Sequence, residues 1–123
     1  GMQDGATVYP EEVFYAPGAE ALEGDLQRMG GLHRVKAGQE AMLRQICQAA
    51  PPSVYAAIRQ AGIRNDCIFL VGQMLFTYFQ AGDPGAAHAS LAADSAYQEW
   101  HAQLAGCLDP HGSFELDEVF YVP

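Results

Sequence analysis

Two side chains in this sequence are suited to moving protons, and a third could orient what they act on. His33 lies in "RMGGLHRVK", residues 28 to 36, where Gly30 and Gly31 leave room for a ligand beside a group that titrates near neutral pH. Asp66 offers a carboxylate base, and Tyr78 an aromatic face with a polar tip. The sequence has no Ser-His-Asp order, phosphate-cradling glycine loop or H-E-x-x-H spacing. A cofactor-free reaction or simple binding of a small molecule is therefore expected, with no metal, in preference to hydrolysis, redox or phosphoryl transfer.

Each residue also has a structural reading. His33 can be an ordinary strand histidine, and Asp66 a solvated acid at a strand end. Tyr78 and Phe79 point to opposite sheet faces, so at most one lines a pocket. Trp100 can anchor a helix in the core, while His101 points about 100° away from it and reads as surface. His88 and His111 fall in loop or helix-surface contexts.

The elements that must hold these groups follow from pattern. The chain has 123 residues, half of them hydrophobic and only 17% charged, enough for one packed core. Six basic residues, scattered among fifteen acidic ones, give a net charge of -9, which argues against nucleic acid and anionic membrane as partners. Cys47, Cys67 and Cys107 lack C-x-x-C spacing and read as reduced thiols. With no leader-like or membrane-length apolar run, a cytoplasmic location is expected.

Residues 28 to 36 predict a strand. From Gln39 a helix follows with Met42, Leu43, Ile46 and Cys47 on one face. Pro51-Pro52 must interrupt it; Ser53 is placed to cap a second segment with Val54, Ile58 and Ala61 inward, and Gly62 to end it. "IRNDCIFL" (63–70) and "QMLFTYFQ" (73–80) predict a hairpin turning at Val71-Gly72, with Ile68 and Leu70 on the helix-covered face and Asn65, Cys67 and Phe69 on the other. A helical region spans 86–105, with Asp94 capping its latter half, and "SFELDEVFYVP" is the last strand. The order is that of an α+β ferredoxin-like βαββαβ domain with an antiparallel sheet. Its helix-free sheet face predicts a homodimer.

"AGIRNDCIF", "MLFTYF", "LAADSAYQEWH" and the terminal "EVFYVP" together resemble the L-rhamnose mutarotase family over residues 27–123. That resemblance implies a dimeric α/β barrel, a cofactor-free carbohydrate isomerase, a small sugar as partner, and neither nucleic acid nor membrane. It places the family's first-helix Tyr and His on Leu43 and Cys47, and its Trp-Pro pair on Pro51 and Pro52. Gly62 and Asn65 match the second strand, and Trp100 keeps one of two helix tryptophans. The resemblance makes Asn65 and Trp100 substrate-binding candidates and puts Cys47 and Asp66 where relatives have His and Tyr; with the residues read from the strands, the candidates are His33, Asp66 and Cys47 for catalysis and Asn65, Trp100 and Tyr78 for substrate binding. A buried thiol is a poor substitute for histidine, so a divergent mutarotase acting by general acid/base chemistry competes with a non-catalytic ligand-binding or interaction homodimer.

The hexad Glu-Val-Phe-Tyr-x-Pro occurs twice, at 12–17 and 118–123. The first copy lies in an N-terminal extension, residues 1–26, outside the 27–123 domain. It is the remnant of a tandem duplication, a coincidence, or, the reading its apolar strand formers favour, a strand covering a sheet edge or an interface.

Overall fold

The structure, a computed structural model, describes residues 9–20 and 24–116. Nine elements follow in order: β1 (Glu11–Gly18), β2 (Gln27–Val35), α1 (Glu40–Gln48), α2 (Pro52–Gln60), β3 (Ile63–Val71), β4 (Met74–Ala81), α3 (Pro84–Ala92), α4 (Ser95–Ala105) and β5 (Leu108–Leu116). The strands form one sheet in the order β1-β3-β4-β2-β5, every pair antiparallel. Without β1 this is the split βαββαβ order of a ferredoxin-like α+β fold. β1 adds a fifth strand along β3, so the N-terminal hexad occupies a sheet edge.

Each crossover is two helices, for readable reasons. Pro51 and Pro52 divide the first, with Pro52 at the opening helical position where a missing N–H costs nothing. Ser53 is not the cap: Pro51 holds that position, and no side chain caps the helix. In the second crossover Asp83 accepts from the Ala86 N–H, and Asp94 from that of Tyr97 at 2.9 Å. The hairpin turns at Gly72-Gln73, one residue later than predicted, because Val71 still pairs with Met74 and Gly72 supplies the positive φ of the turn. β5 begins at Leu108, five residues before the expected start, and the terminal hexad lies outside the described residues.

All four helices lie over one face of the sheet. Leu43, Val54, Ile58, Leu91 and Leu104 from the helices meet Val35, Ile63, Ile68, Leu70 and Leu75 from the strands, all buried. Met42, predicted inward, is 51% exposed; Leu43 and Cys47 carry the buried face of α1. Phe14 of β1 enters this layer, its ring 5.3 Å from Tyr55 and 5.0 Å from Trp100. No described helix is long and apolar enough to cross a membrane.

One irregularity decides what the sheet presents. Arg64 pairs with Gln80 and Cys67 with Tyr78, so Asn65 and Asp66 both stand opposite Phe79. This is a β-bulge, and Asn65 takes it with φ of 52°, a left-handed conformation that asparagine tolerates better than most residues. The extra residue shifts the alternation by one. Ile63 before it and Asp66, Ile68 and Leu70 after it therefore all face the helices.

Candidate functional site

Between the covered face of the sheet and helices α3 and α4 lies a cavity of about 520 Å³. Apolar groups such as Ile68, Leu75, Phe79 and Leu104 make most of its wall, and its polar groups gather at two ends. The size and the few convergent polar groups are those of a small-molecule site.

One end is built on the bulge. Asp66 projects from β3 beneath Tyr97, and among the described residues its carboxyl has no hydrogen-bond partner. Withdrawal from water raises its pKa to about 7, so the group is neutral below that pH. The Tyr97 phenol is pushed upward by burial first and by the Asp66 charge second. Asp66 is thus a half-buried carboxyl facing a cavity, in place of the freely solvated strand-end acid of the alternative reading.

The other end centres on His33. Its Nδ1 is 2.8 Å from the Ser113 hydroxyl across the β2–β5 pair, which fixes the ring and leaves Nε2 for a ligand. Partial burial, and then the charge of His101, lower its pKa; burial lowers that of His101 as well. His33 is paired with Leu75 and Asp66 lies opposite Phe79, two strands apart and four residues along. Strand spacing and rise put their backbones roughly 15 Å apart, toward opposite ends of the cavity.

Trp100 forms a side wall. It is 5% exposed and donates its indole N–H to the Ile46 carbonyl at 3.0 Å, with Phe14 against one side and Tyr97 5.7 Å away on another. It is both core anchor and cavity wall. Cys47, 1% exposed, lies in the core and does not line the cavity; burial pushes its thiol up to about 12.

Asn65 and Tyr78 stand on the opposite face of the sheet. The Tyr15 hydroxyl donates to Asn65 Oδ1 at 2.8 Å, Asn65 Nδ2 to Gln80 Oε1 at 3.0 Å, and Gln80 Nε2 to the Tyr78 oxygen at 3.0 Å. Cys67 beside them donates its thiol to the Asn65 carbonyl, and burial raises its pKa to about 11. The structure brings His33, Asp66 and Trp100 to one cavity and leaves Asn65, Tyr78 and Cys47 out of it.

Sequence reasoning did not single out Tyr97, which lines the cavity; His88 and His101 are exposed, as expected, and also line it. His88 packs edge-on to Phe79 at 5.7 Å, and His101 lies over Tyr97 at 5.7 Å. A signal for His101 was present: Tyr97, Trp100, His101 and Leu104 fall at i, i+3, i+4 and i+7, one helix stripe. Among the described residues no cluster of three His, Cys, Asp or Glu could hold a metal ion.

Comparison with known proteins places this architecture. A NIPSNAP family protein from Agrobacterium tumefaciens str. C58 superposes with a TM-score of 0.58 at 11% identity, over 86% of this chain and 97% of that one. The likeness is one of fold. No curated protein matches the chain. The family model described as L-rhamnose mutarotase matches residues 28–122, all four strands β2–β5 and the helices between them. The chain belongs to the L-rhamnose mutarotase family.

Proposed function

We propose that this protein interconverts the α and β anomers of a reducing monosaccharide in the cavity beneath α4, with Asp66 as the acid/base. The observation that carries the reading is the carboxyl itself, recessed, unpartnered among the described residues and raised to about 7. Opening a cyclic hemiacetal needs a proton delivered to the ring oxygen and another removed from the anomeric hydroxyl, two oxygens on the same carbon. A neutral carboxyl can serve both: its O–H donates to one while its carbonyl oxygen accepts from the other, and reclosure reverses the transfers. Ionised, it can only accept.

The other groups bind. Trp100 and Phe79 give apolar walls for the ring, and His33 with His101 meets hydroxyls at the far end. No cofactor enters the scheme. A homodimer formed through the helix-free face, and a cytoplasmic setting, complete the proposal.

A second reading has its own support. The position that resembles the family's helix histidine is Cys47, a core thiol raised to about 12 that keeps its proton near neutrality. On that ground the chain is a binding relative without catalysis.

Saturation-transfer NMR of α/β exchange in L-rhamnose, L-fucose, D-ribose and D-galactose separates the two. Exchange above the buffer rate, removed by Asp66→Asn and lost as pH rises past about 7, is expected. No acceleration of any sugar, with line broadening that reports binding, would favour the second reading.

A further inference from the structure

The two copies of the hexad differ in more than position. Extended by one residue, they read Glu11-Glu-Val-Phe-Tyr-Ala-Pro17 and Asp117-Glu-Val-Phe-Tyr-Val-Pro123, and the first copy shows what the motif binds. Glu11 takes a two-pronged ion pair from Arg44, at 2.8 and 3.0 Å. Phe14 sits between Tyr55 and Trp100, and Tyr15 pairs with Cys67 while its hydroxyl reaches Asn65. Each of these contacts has its counterpart in the C-terminal copy: an acid at 117, the ring of Phe120, the phenol of Tyr121.

The C-terminal copy cannot reach this edge within its own chain. β5 holds Leu116 beside Gly30 on the far edge of the sheet, four strand spacings, about 19 Å, from the place of β1. Glu118 is two residues further on, a reach of at most about 7 Å. A second molecule has no such restriction.

We infer that the outer edge of β3 is a receptor for this heptad, and that residues 117–123 of a second copy take the place of β1 when β1 is displaced. Exchange of equivalent strands between protomers makes the same bonds in both states. Two features keep the chain's own copy ahead. Gly18 closes β1 at φ of 71°, where any Cβ would collide with the Ile63 carbonyl oxygen, so the exit from β1 is fitted to this edge. Ala16, 1% exposed, is replaced by the larger Val122. The exchange would set Phe120 of one copy against Trp100 of the other, beside the cavity wall. The inference rests on the homodimer reading.

The test uses the full chain carrying Tyr121→Cys, alone and with Gly18→Ala and Glu11→Arg to unpin β1. The Tyr15–Cys67 register puts the introduced thiol beside Cys67 of the other molecule. Mild oxidation should give an intermolecular link to Cys67, identified by peptide mass, several-fold more abundant when β1 is unpinned. A dimer by sedimentation without that link overturns the exchange and leaves the homodimer standing; a monomer throughout overturns both. If the unpinned chain does not fold, a synthetic peptide of residues 117–123 with cysteine in place of its tyrosine is offered to the unsubstituted chain. Its disulfide with Cys67 supports the receptor, and no adduct, with a Phe-to-Ser peptide as control, overturns it.

Discussion

The two faces of one sheet use the same kinds of side chain to opposite ends. On the open face Tyr15, Asn65, Gln80 and Tyr78 satisfy one another in a chain of hydrogen bonds of 2.8 to 3.0 Å. On the covered face Asp66 has no partner among the described residues, and His33 spends one nitrogen on Ser113 and keeps the other. Adjacent residues in the sequence, Asn65 and Asp66, fall on either side of this divide. A polar group whose capacity is used inside the protein holds structure, whereas one left unused beside a cavity is available to a ligand.

The comparison breaks first, and hardest, at Asp66. Asp66→Asn keeps shape and hydrogen bonding but cannot exchange a proton, so the anomer exchange rate should fall by about 10²–10⁴-fold, read by saturation transfer. His33→Ala should weaken sugar binding and leave the rate at saturation within about tenfold, since a hydrogen bond to a hydroxyl is worth roughly 0.5–1.5 kcal/mol. An equal loss of saturated rate in both variants would place the chemistry at both ends and refute the division of labour.

Phe14→Ala tests whether β1 belongs to the covered face. Removing a buried ring packed between Tyr55 and Trp100 should cost about 3–5 kcal/mol in denaturant unfolding. A loss below about 1 kcal/mol would mean the strand is not docked in solution.

Asp66→Asn should also stabilise the fold, by about 2–4 kcal/mol at pH 8. The sign follows from the raised pKa. The folded carboxyl holds its proton up to about 7 while the unfolded one releases it near 3.8, so ionisation penalises the fold increasingly between those values. The advantage of Asn should vanish below about pH 4 and be complete above 7. Gain in stability together with loss of activity would mark Asp66 as a group kept for chemistry at a cost to the fold.

The smallest effect belongs to the open face. Tyr78→Phe should cost about 0.5–1.5 kcal/mol and leave exchange unaltered, because it removes one hydrogen bond from a network remote from the cavity. A large loss of activity would move the site to that face.

Much of the framework was legible because its causes are local. Asp94 caps α4 as its position before Ser95 predicted, Gly62 ends α2 with positive φ, and the Pro51-Pro52 break divides the first crossover. The site was less so, since its causes lie far apart in the chain. Asp66 looks like a strand-end acid until α4, some thirty residues later, covers it. Asn65 was read as a ligand contact because an amide suits hydroxyl groups, but asparagine also tolerates positive φ, and that is the property the fold uses. His101 is exposed as expected, and its place beside the cavity was legible on the Tyr97–Leu104 stripe. The position of β1 required pairing information that no short window contains.

The bulge at Asn65 also bears on how such a site can arise or vanish. A strand alternates in two phases, and one inserted residue exchanges them for everything downstream until the pairing recovers. Removing Asn65 would restore an unbroken ladder only by putting Ile63 out of phase with Asp66, Ile68 and Leu70, so that one side or the other must leave the core. A carboxyl can therefore be moved into or out of this cavity by gaining or losing a single codon, with the acid itself never substituted. On the proposed role of Asp66, a chain of this fold with one residue fewer in β3 should lose the acid from the cavity and the activity with it.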